Sequence, residues 1–473
     1  MRRPTVTRAT TIAGGVAVAL LIPSLASGVP GFASLQTVPS VRATSASDAG
    51  AYGSVSCATA TSCTAVGPSI NQLTEGFSTD SGHPTAVTWT NGTWGSPAPL
   101  ATPHGGRTQF LNGVACPAIR DCVAVGGRSV GERVVPLIET EAAGTWSASS
   151  SIAPPVTADG QGEFSSVWCA SIGKCVAFGL YPSGSSFGAM ASVESSGRWA
   201  RASGLSNGSE GSEGLILPES LSCADVSNCT AIGLGVPLLV SQVFSTYAWK
   251  ETAGVWSVAT EIPQPRGREF IGVAVACPTA STCLAGGAVA HGPDGTLEPA
   301  IAVETRRAWT AARRIALPRV SPTATGGLFT SLACGSPSSC EAVGSLLLPS
   351  ACHGLSQICT STSAPTASMS SGGFLGIVGG QQFRQIAIDR AAPLAATWSD
   401  GVWSSLGVLH GTKVGAQPAT FSGFGTVECS SAQRCLALGL STVASRDGLR
   451  SSAFSVDLLT VRTAPPLVAL RAT

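Results

Sequence analysis

Lysine is almost missing from this chain, with three residues in 473 against 24 arginines. Charged residues make up only 11% and the formal net charge is +1. A balance so close to zero gives no electrostatic footprint for nucleic acid or an anionic membrane. The five histidines (His83, His104, His291, His353 and His410) form no i,i+3 or i,i+4 pair. C-x-x-C is absent, which removes the usual thiol-redox motif, and the cysteine spacing that does occur is not that of zinc ligands. Neither G-x-S-x-G, H-E-x-x-H nor a phosphate loop occurs. His291-Gly-Pro-Asp294-Gly295 lacks the oxygen-ligand spacing of a calcium loop. No cofactor or metal is therefore expected. Past the N-terminus there is no run of 18 apolar residues, so no transmembrane helix is expected there.

What the chain does have is 56 glycines, 30 prolines and 16 cysteines. The cysteines organise everything else. Seven copies of C-x5-C-x-A-x-G begin at Cys57/Cys63, Cys116/Cys122, Cys169/Cys175, Cys223/Cys229, Cys277/Cys283, Cys334/Cys340 and Cys429/Cys435. They end at Gly67, Gly126, Gly179, Gly233, Gly287, Gly344 and Gly439. First cysteines are separated by 59, 53, 54, 54, 57 and 95 residues. A period of that size marks a repeat architecture rather than the three domains that length alone suggests.

One unit reads as four strands. Phe110–Cys116 is an apolar strand a, and a short turn of Pro, Ala, Ile, Arg and Asp leads to strand b at Cys122–Gly126. Cysteines facing each other across so short a hairpin lie within disulfide reach. Strand c covers Val134–Glu141, and Ala143-Gly144 turns the chain into Trp146 on strand d. The same x-Gly-x-Trp turn follows at Asn91–Trp94, Ser196–Trp199, Ala253–Trp256 and Asp400–Trp403. Asn-Gly and Asp-Gly are strong two-residue hairpin signals, because type I′ turns need positive φ twice. Counting back across the turn pairs Trp94 with Trp89 and Trp403 with Trp398. Likewise Glu141, Glu194, Glu251 and Glu304 face Trp146, Trp199, Trp256 and Trp309. Arg306-Arg307 replaces the glycine turn in one copy.

A four-stranded meander of this size cannot bury both faces alone. Seven of them stacked radially bury one another and close into a ring. The expected fold is all-β: a seven-bladed β-propeller of four-stranded antiparallel blades with one disulfide each. Residues 51–473 form it, with an insertion at about 345–390 in the sixth blade that is expected to be stapled by a further disulfide between Cys352 and Cys359. The seventh blade lacks a Gly-x-Trp strand. Either Leu467–Arg471 or the N-terminal arm completes it, and Leu35–Val38 is the segment of the arm suited to a strand.

Residues 1–26 read as a secretory signal: basic Arg2, Arg3 and Arg8, then an apolar stretch Thr11–Ile22, then small residues at Ser24 and Ala26. Gly31-Phe32-Ala33 offers a second cleavage point. Residues 27–50 are rich in Ser, Ala and Thr and read as a flexible arm. Paired cysteines in an exported chain mean disulfides, so the protein is expected outside the cell or at its envelope.

The C-x5-C-x-A-x-G unit with a downstream Gly-x-Trp resembles the repeats of exported β-propeller proteins of high-GC Gram-positive (actinobacterial) bacteria. The resemblance covers Tyr52 to about Leu459 and implies fold, export and disulfides, with almost nothing about chemistry. The turn is also similar to the S-x-D-x-G-x-x-W turn of sialidase-type propellers. Only Ser399-Asp400-Gly401-Val402-Trp403 approaches it, with different spacing, so that likeness is one of architecture.

Propeller topology puts the a–b and c–d turns on one face and the d–a and b–c loops on the other. A site is expected on the second face. Its candidate binding residues are Arg107, Glu163, Arg268 and Glu269, with Glu213 and Arg266 beside them, since an arginine next to a carboxylate suits a sugar acid or a peptide terminus. Phe110, Phe164, Phe270, Phe329 and Phe424 recur once per blade and read as packing between blades. The facing glutamates also recur once per blade, too dispersed for the paired carboxyls of glycoside chemistry. No catalytic residue stands out. The expectation is a monomeric binding module for an unidentified protein or glycan of the cell envelope, with a carbohydrate-active enzyme on the same scaffold as the alternative.

Overall fold

The structure is a computed structural model that describes residues 31–39, 52–67, 84–100, 109–131, 133–147, 150–184, 186–207, 215–236, 244–290, 297–317, 326–348, 390–414, 417–419, 421–445 and 448–459. Cys352, Cys359, most of the sixth-blade insertion, Leu467–Arg471 and residues 1–30 lie outside these.

Seven antiparallel blades are present, and the second shows the plan. Strand a (Gln109–Ala118) pairs with b (Asp121–Val130), b with c (Arg133–Ala142), and c with the short d strand (Thr145–Trp146). Outer strands are interrupted in blades 1–6. After two paired residues the chain leaves c and returns to it, as Ser150–Ser151 does opposite Ile138 and Leu137. The pairings read from the turns all occur: Trp89 with Trp94, Glu141 with Trp146, Glu194 with Trp199, Glu251 with Trp256, Glu304 with Trp309 and Trp398 with Trp403. The turn without glycine forms the same hairpin, because Arg306 and Arg307 both take positive φ (53° and 69°).

Seven disulfides clasp the a–b hairpins: Cys57–Cys63, Cys116–Cys122, Cys169–Cys175, Cys223–Cys229, Cys277–Cys283, Cys334–Cys340 and Cys429–Cys435. Their Cα atoms are 3.9–4.0 Å apart. Each closes a loop of about seven residues and contributes roughly 2 kcal/mol in the loop-entropy account. The clasps do not hang at the surface of their turns. The second cysteine of every pair (Cys63, Cys122, Cys175, Cys229, Cys283, Cys340 and Cys435) is only 1–3% exposed. Strand b lies inside the sheet, between a and c, so its cysteine is covered by the neighbouring blade. Cys63, Cys175, Cys340 and Cys435 accordingly belong to four of the apolar clusters between blades.

Packing between blades closes the ring. Apolar clusters join blade 1 to 2, 2 to 3, 3 to 4, 4 to 5, 5 to 6 and 6 to 7. A further cluster joins 7 back to 1 through Val55, Ala65, Trp89, Leu436 and Leu438. Phe110, Phe164, Phe270, Phe329 and Phe424 are fully buried, as their recurrence predicts. The innermost strands of blades 1 and 7 also touch each other, so no sheet edge is left open between first and last repeat.

The N-terminal arm supplies the missing outer strand. Gly31–Thr37 runs antiparallel to strand c of blade 7 (Gly448–Leu459), with Gly31 opposite Leu459 and Thr37 opposite Phe454. The phenyl ring of Phe32 stacks on Phe424 at 6.3 Å. Gln36 Nε2 donates to the Gly92 carbonyl of blade 1 at 2.8 Å, and Trp94 Nε1 donates to Ser455 Oγ at 2.8 Å. This stretch is thus part of the propeller, not of a flexible arm, and blade 7 is sewn from both ends of the chain.

The glycine of each motif has a steric cause. In blades 2–7, strand a skips one residue of register at the fourth position before its first cysteine. Such a bulge kinks the strand and re-aims a side chain. The motif glycine sits opposite the kink. A Cβ on Gly126 would meet the Phe110 carbonyl oxygen at 2.0 Å, and one on Gly287 the Ile271 oxygen at 1.8 Å. The cysteine repeat therefore encodes both a clasp and a bulge.

Candidate functional site

Besides a hollow of about 340 Å³ beside the disulfide turns of blades 4 and 5, lined by Lys250, Glu251, Trp256 and Arg307 among others, two concave regions stand out. The first lies on the d–a side of blades 4 to 6. Its floor is the turn Pro265–Arg268, which Gly267 allows by taking a positive φ of 64°. Hydrogen bonds hold the turn. Arg268 N donates to the Pro265 carbonyl at 3.1 Å, Phe270 N donates to Gln264 Oε1 at 2.6 Å, and Gln264 Nε2 donates to Glu261 Oε1 at 3.2 Å. Opposite it, Arg313–Arg314 forms the returning piece of blade 5's outer strand, paired with Ile301 and Ala300. Between turn and strand is a cleft of about 540 Å³ lined by Arg266, Arg268, Glu298, Arg313 and Arg314, with Pro265 and Leu317 among its apolar neighbours.

Glu298 joins the two sides. Arg314 Nη1 reaches both of its carboxylate oxygens at 2.9 Å, and Arg268 Nη1 reaches Oε2 at 3.2 Å. With both oxygens engaged by guanidinium, Glu298 holds the two arginines in place. Arg266 and Arg313 make no ion pair among the described residues. The cleft therefore carries four positive groups against one negative, partly preorganised, on solvent-accessible walls.

Sequence reasoning found part of this. Arg268 is in the cleft, and Arg266 beside it. Glu269 is next in sequence but turned to a structural task, with Oε2 accepting the Phe244 amide at 3.1 Å. Glu163 begins strand a of blade 3 and is fully buried, so it is a wall residue of the fold and not a surface loop group. Arg107 and Glu213 lie outside the described residues. Of the paired cysteines, Cys223, Cys277 and Cys334 reach the wall of the axial channel described below, whereas Cys63, Cys175, Cys340 and Cys435 line neither concave region. Missed altogether were Glu298, Arg313 and Arg314, which are 30 to 46 residues beyond Arg268 in sequence. The doubled Arg313-Arg314 in a chain short of charge was the available signal.

The second region is the axial channel, where a cavity of about 300 Å³ is lined by strand a of all seven blades. Its lining runs from the bulge position to the first cysteine, which places it in the half toward the disulfide turns. Among the described residues, its ionisable ones are Glu219 and Glu428. Burial raises the carboxyl of Glu219 well above the ordinary range and pushes that of Glu428 up to about 8. No group of three His, Cys, Asp or Glu side chains suited to a metal ion occurs among the described residues.

The facing glutamates of strands c serve the scaffold. Glu304, fully buried, pairs with Lys250 of the preceding blade, and Glu251 accepts the Gly254 amide of its own hairpin. They sit one to a blade.

No family model matches the chain, and no curated protein does either. Among solved structures, the chain is similar to a protein of unknown function from Dyadobacter fermentans, at 11% identity over 90% of this chain and 100% of that one, with a TM-score of 0.45. It is also similar to the GH93 alpha-L-arabinofuranosidase of Fusarium graminearum, at 10% identity over 66% of this chain and 92% of that one, TM-score 0.41. A subtype N11 neuraminidase-like protein of a flat-faced bat isolate aligns at 10% identity over 93% of this chain and 97% of that one, TM-score 0.38.

Proposed function

We propose that the protein is an exported binding module that holds an acidic glycan of the cell envelope in the arginine-lined cleft. The observation that carries this reading is the Glu298 bridge. It fixes Arg268 and Arg314 on opposite walls, while Arg266 and Arg313 have no ion-pair partner among the described residues. Guanidinium groups suit carboxylates, sulfates and phosphates because two parallel N–H donors match two oxygens. Export and an extracellular or envelope location are supported by seven disulfides and by the basic, then apolar N-terminal sequence. Among the described residues no helix is long and apolar enough to cross a membrane. Hydrolysis in this cleft lacks support: its one carboxylate is occupied by two arginines, whereas acid–base cleavage of a glycoside needs two carboxyls flanking the bond.

The test is a glycan array of neutral, uronic, sulfated and phosphorylated sugars, followed by calorimetry on the hits. Binding should be confined to acidic glycans, weaken as salt rises, and fall at least tenfold in R266A/R313A. Retention by neutral glycans at equal strength, or a double variant that binds like the parent, would sink the proposal. Release of reducing ends from any array member would replace binding with catalysis.

A further inference from the structure

The axial cavity has the opposite electrostatic character from the arginine cleft, and its wall is built by a rule. In blades 2 to 7 the bulge residue of strand a is Asn112, Ser165, Glu219, Val273, Thr330 or Gly425. All six line the cavity, as does Gly53 of blade 1. One ring of positions thus faces the axis, and only its fourth member, Glu219, is ionisable. Nearer the disulfide turns, the residues just before the first cysteine form a second level, with Trp168 on blade 3 and Glu428 on blade 7. Between the levels the strand rises roughly 10 Å.

Most polar groups of the wall are already used by the scaffold. Ser54 and Ser56 accept the amides of Val114 and Cys116; Ser220 and Ser222 accept those of Val275 and Cys277. Asn112 and Thr330 donate to the carbonyls of Phe164 and Phe424 in the next blade. The two carboxyls are the exception. Glu219 is only 8% exposed and Glu428 is half-buried, yet neither has a hydrogen-bond or ionic partner among the described residues. Among the described residues no arginine, lysine or histidine lines the cavity.

We propose that this cavity binds an organic ammonium ion. A buried carboxyl without a counter-charge is costly in its ionised form, and a cation entering the cavity supplies the missing charge. The indole of Trp168 adds an aromatic surface, which attracts ammonium through its ring quadrupole. A bare divalent ion fits poorly. Calcium takes six to eight oxygen ligands and magnesium a near-ideal octahedron, whereas the two carboxyls here stand on blades 4 and 7 at different levels. The volume of about 300 Å³ suits a headgroup with a short chain.

The experiment is calorimetry on the full chain at pH 8 with four probes: choline, 1,4-diaminobutane, the neutral choline isostere 3,3-dimethylbutan-1-ol, and calcium chloride. At least one ammonium probe should bind. Protons should be released on binding, detected by repeating the titration in buffers of different ionisation enthalpy. Affinity should fall tenfold or more in E219Q or E428Q. A preference for choline with loss in W168L assigns the headgroup to the indole; a preference for the diamine assigns it to the two carboxyls. Because each Glu→Gln change removes a buried acid, both variants should unfold at the parent's denaturant midpoint or above it, so lost binding cannot be lost folding. Equal binding of the neutral isostere, binding of calcium alone, no binding by either amine, or E219Q and E428Q both binding like the parent would each overturn the proposal. R266A/R313A should leave ammonium binding unchanged, which separates this site from the arginine cleft.

Discussion

Replacing Glu139 with glutamine should make the protein more stable, and increasingly so as the pH rises. Glu139 lies on strand c of blade 2, opposite Ala124. It shares a sheet face with Leu137, which packs between blades 1 and 2. The equivalent residues of other blades, two before the position that faces the tryptophan, are Val87, Ser192, Trp249, Ala302 and Ala396. Glu139 alone puts a carboxyl there. It is fully buried, and neither oxygen has a partner among the described residues. Burial pushes its pKa from 4.5 up to about 8. The folded pKa is above the unfolded one, so the penalty is absent below pH 4.5. It grows as the unfolded chain ionises while the folded one stays protonated, and it levels off above pH 8. At pH 7 the gap is worth about 3 kcal/mol. Glutamine keeps the shape and the buried polar cost but never ionises. Denaturant midpoints of parent and E139Q, measured from pH 4.5 to 9, should coincide at the acid end and diverge by about 3 kcal/mol near neutrality. Parallel curves, or an E139Q that is less stable at pH 8, would refute the account of an unpaired buried acid.

Other outcomes follow from the same structure. Gly126→Ala forces a Cβ against the Phe110 carbonyl at the bulge and should lower stability by about 3 kcal/mol; Gly131→Ala, with nothing near its Cβ but a positive φ, should cost about 1 kcal/mol, both read from denaturant unfolding. Removing one clasp as C116A/C122A should cost about 2 kcal/mol, without loss of β signal in circular dichroism. Phe32→Ala removes the stack on Phe424 and should cost about 1–3 kcal/mol, seen as earlier exposure of blade 7 amides in hydrogen exchange. If the N-terminal segment is a cleaved signal, mass spectrometry of the exported protein should place the new terminus at Ser27 and not at Ser34, because cutting after Ala33 would strip Gly31, Phe32 and Ala33 from the closing strand.

The chain's primary structure settled everything that depends on neighbours within a few residues. A cysteine six residues from its partner fixes a hairpin and its clasp. A Gly-x-Trp turn fixes which residue faces the tryptophan, since a two-residue loop leaves no freedom of register. Seven repetitions of a unit that cannot bury itself then imply a ring. Tertiary structure decided what depends on distance along the chain. Leu467–Arg471 and Leu35–Val38 of the arm were both chemically able to finish blade 7; the strand that pairs with Gly448–Leu459 is the arm's, and it starts earlier than expected, at Gly31–Thr37, where Phe32 reaches Phe424. The bulge that turns Glu219 toward the axis leaves no mark in hydrophobic periodicity, because it is one extra residue in one strand. Arg268, Glu298 and Arg314 meet only because a d–a turn and the outer edge of the next blade share one rim. Local pattern could write the repeat; only closure of the ring could say which of its irregularities look at one another.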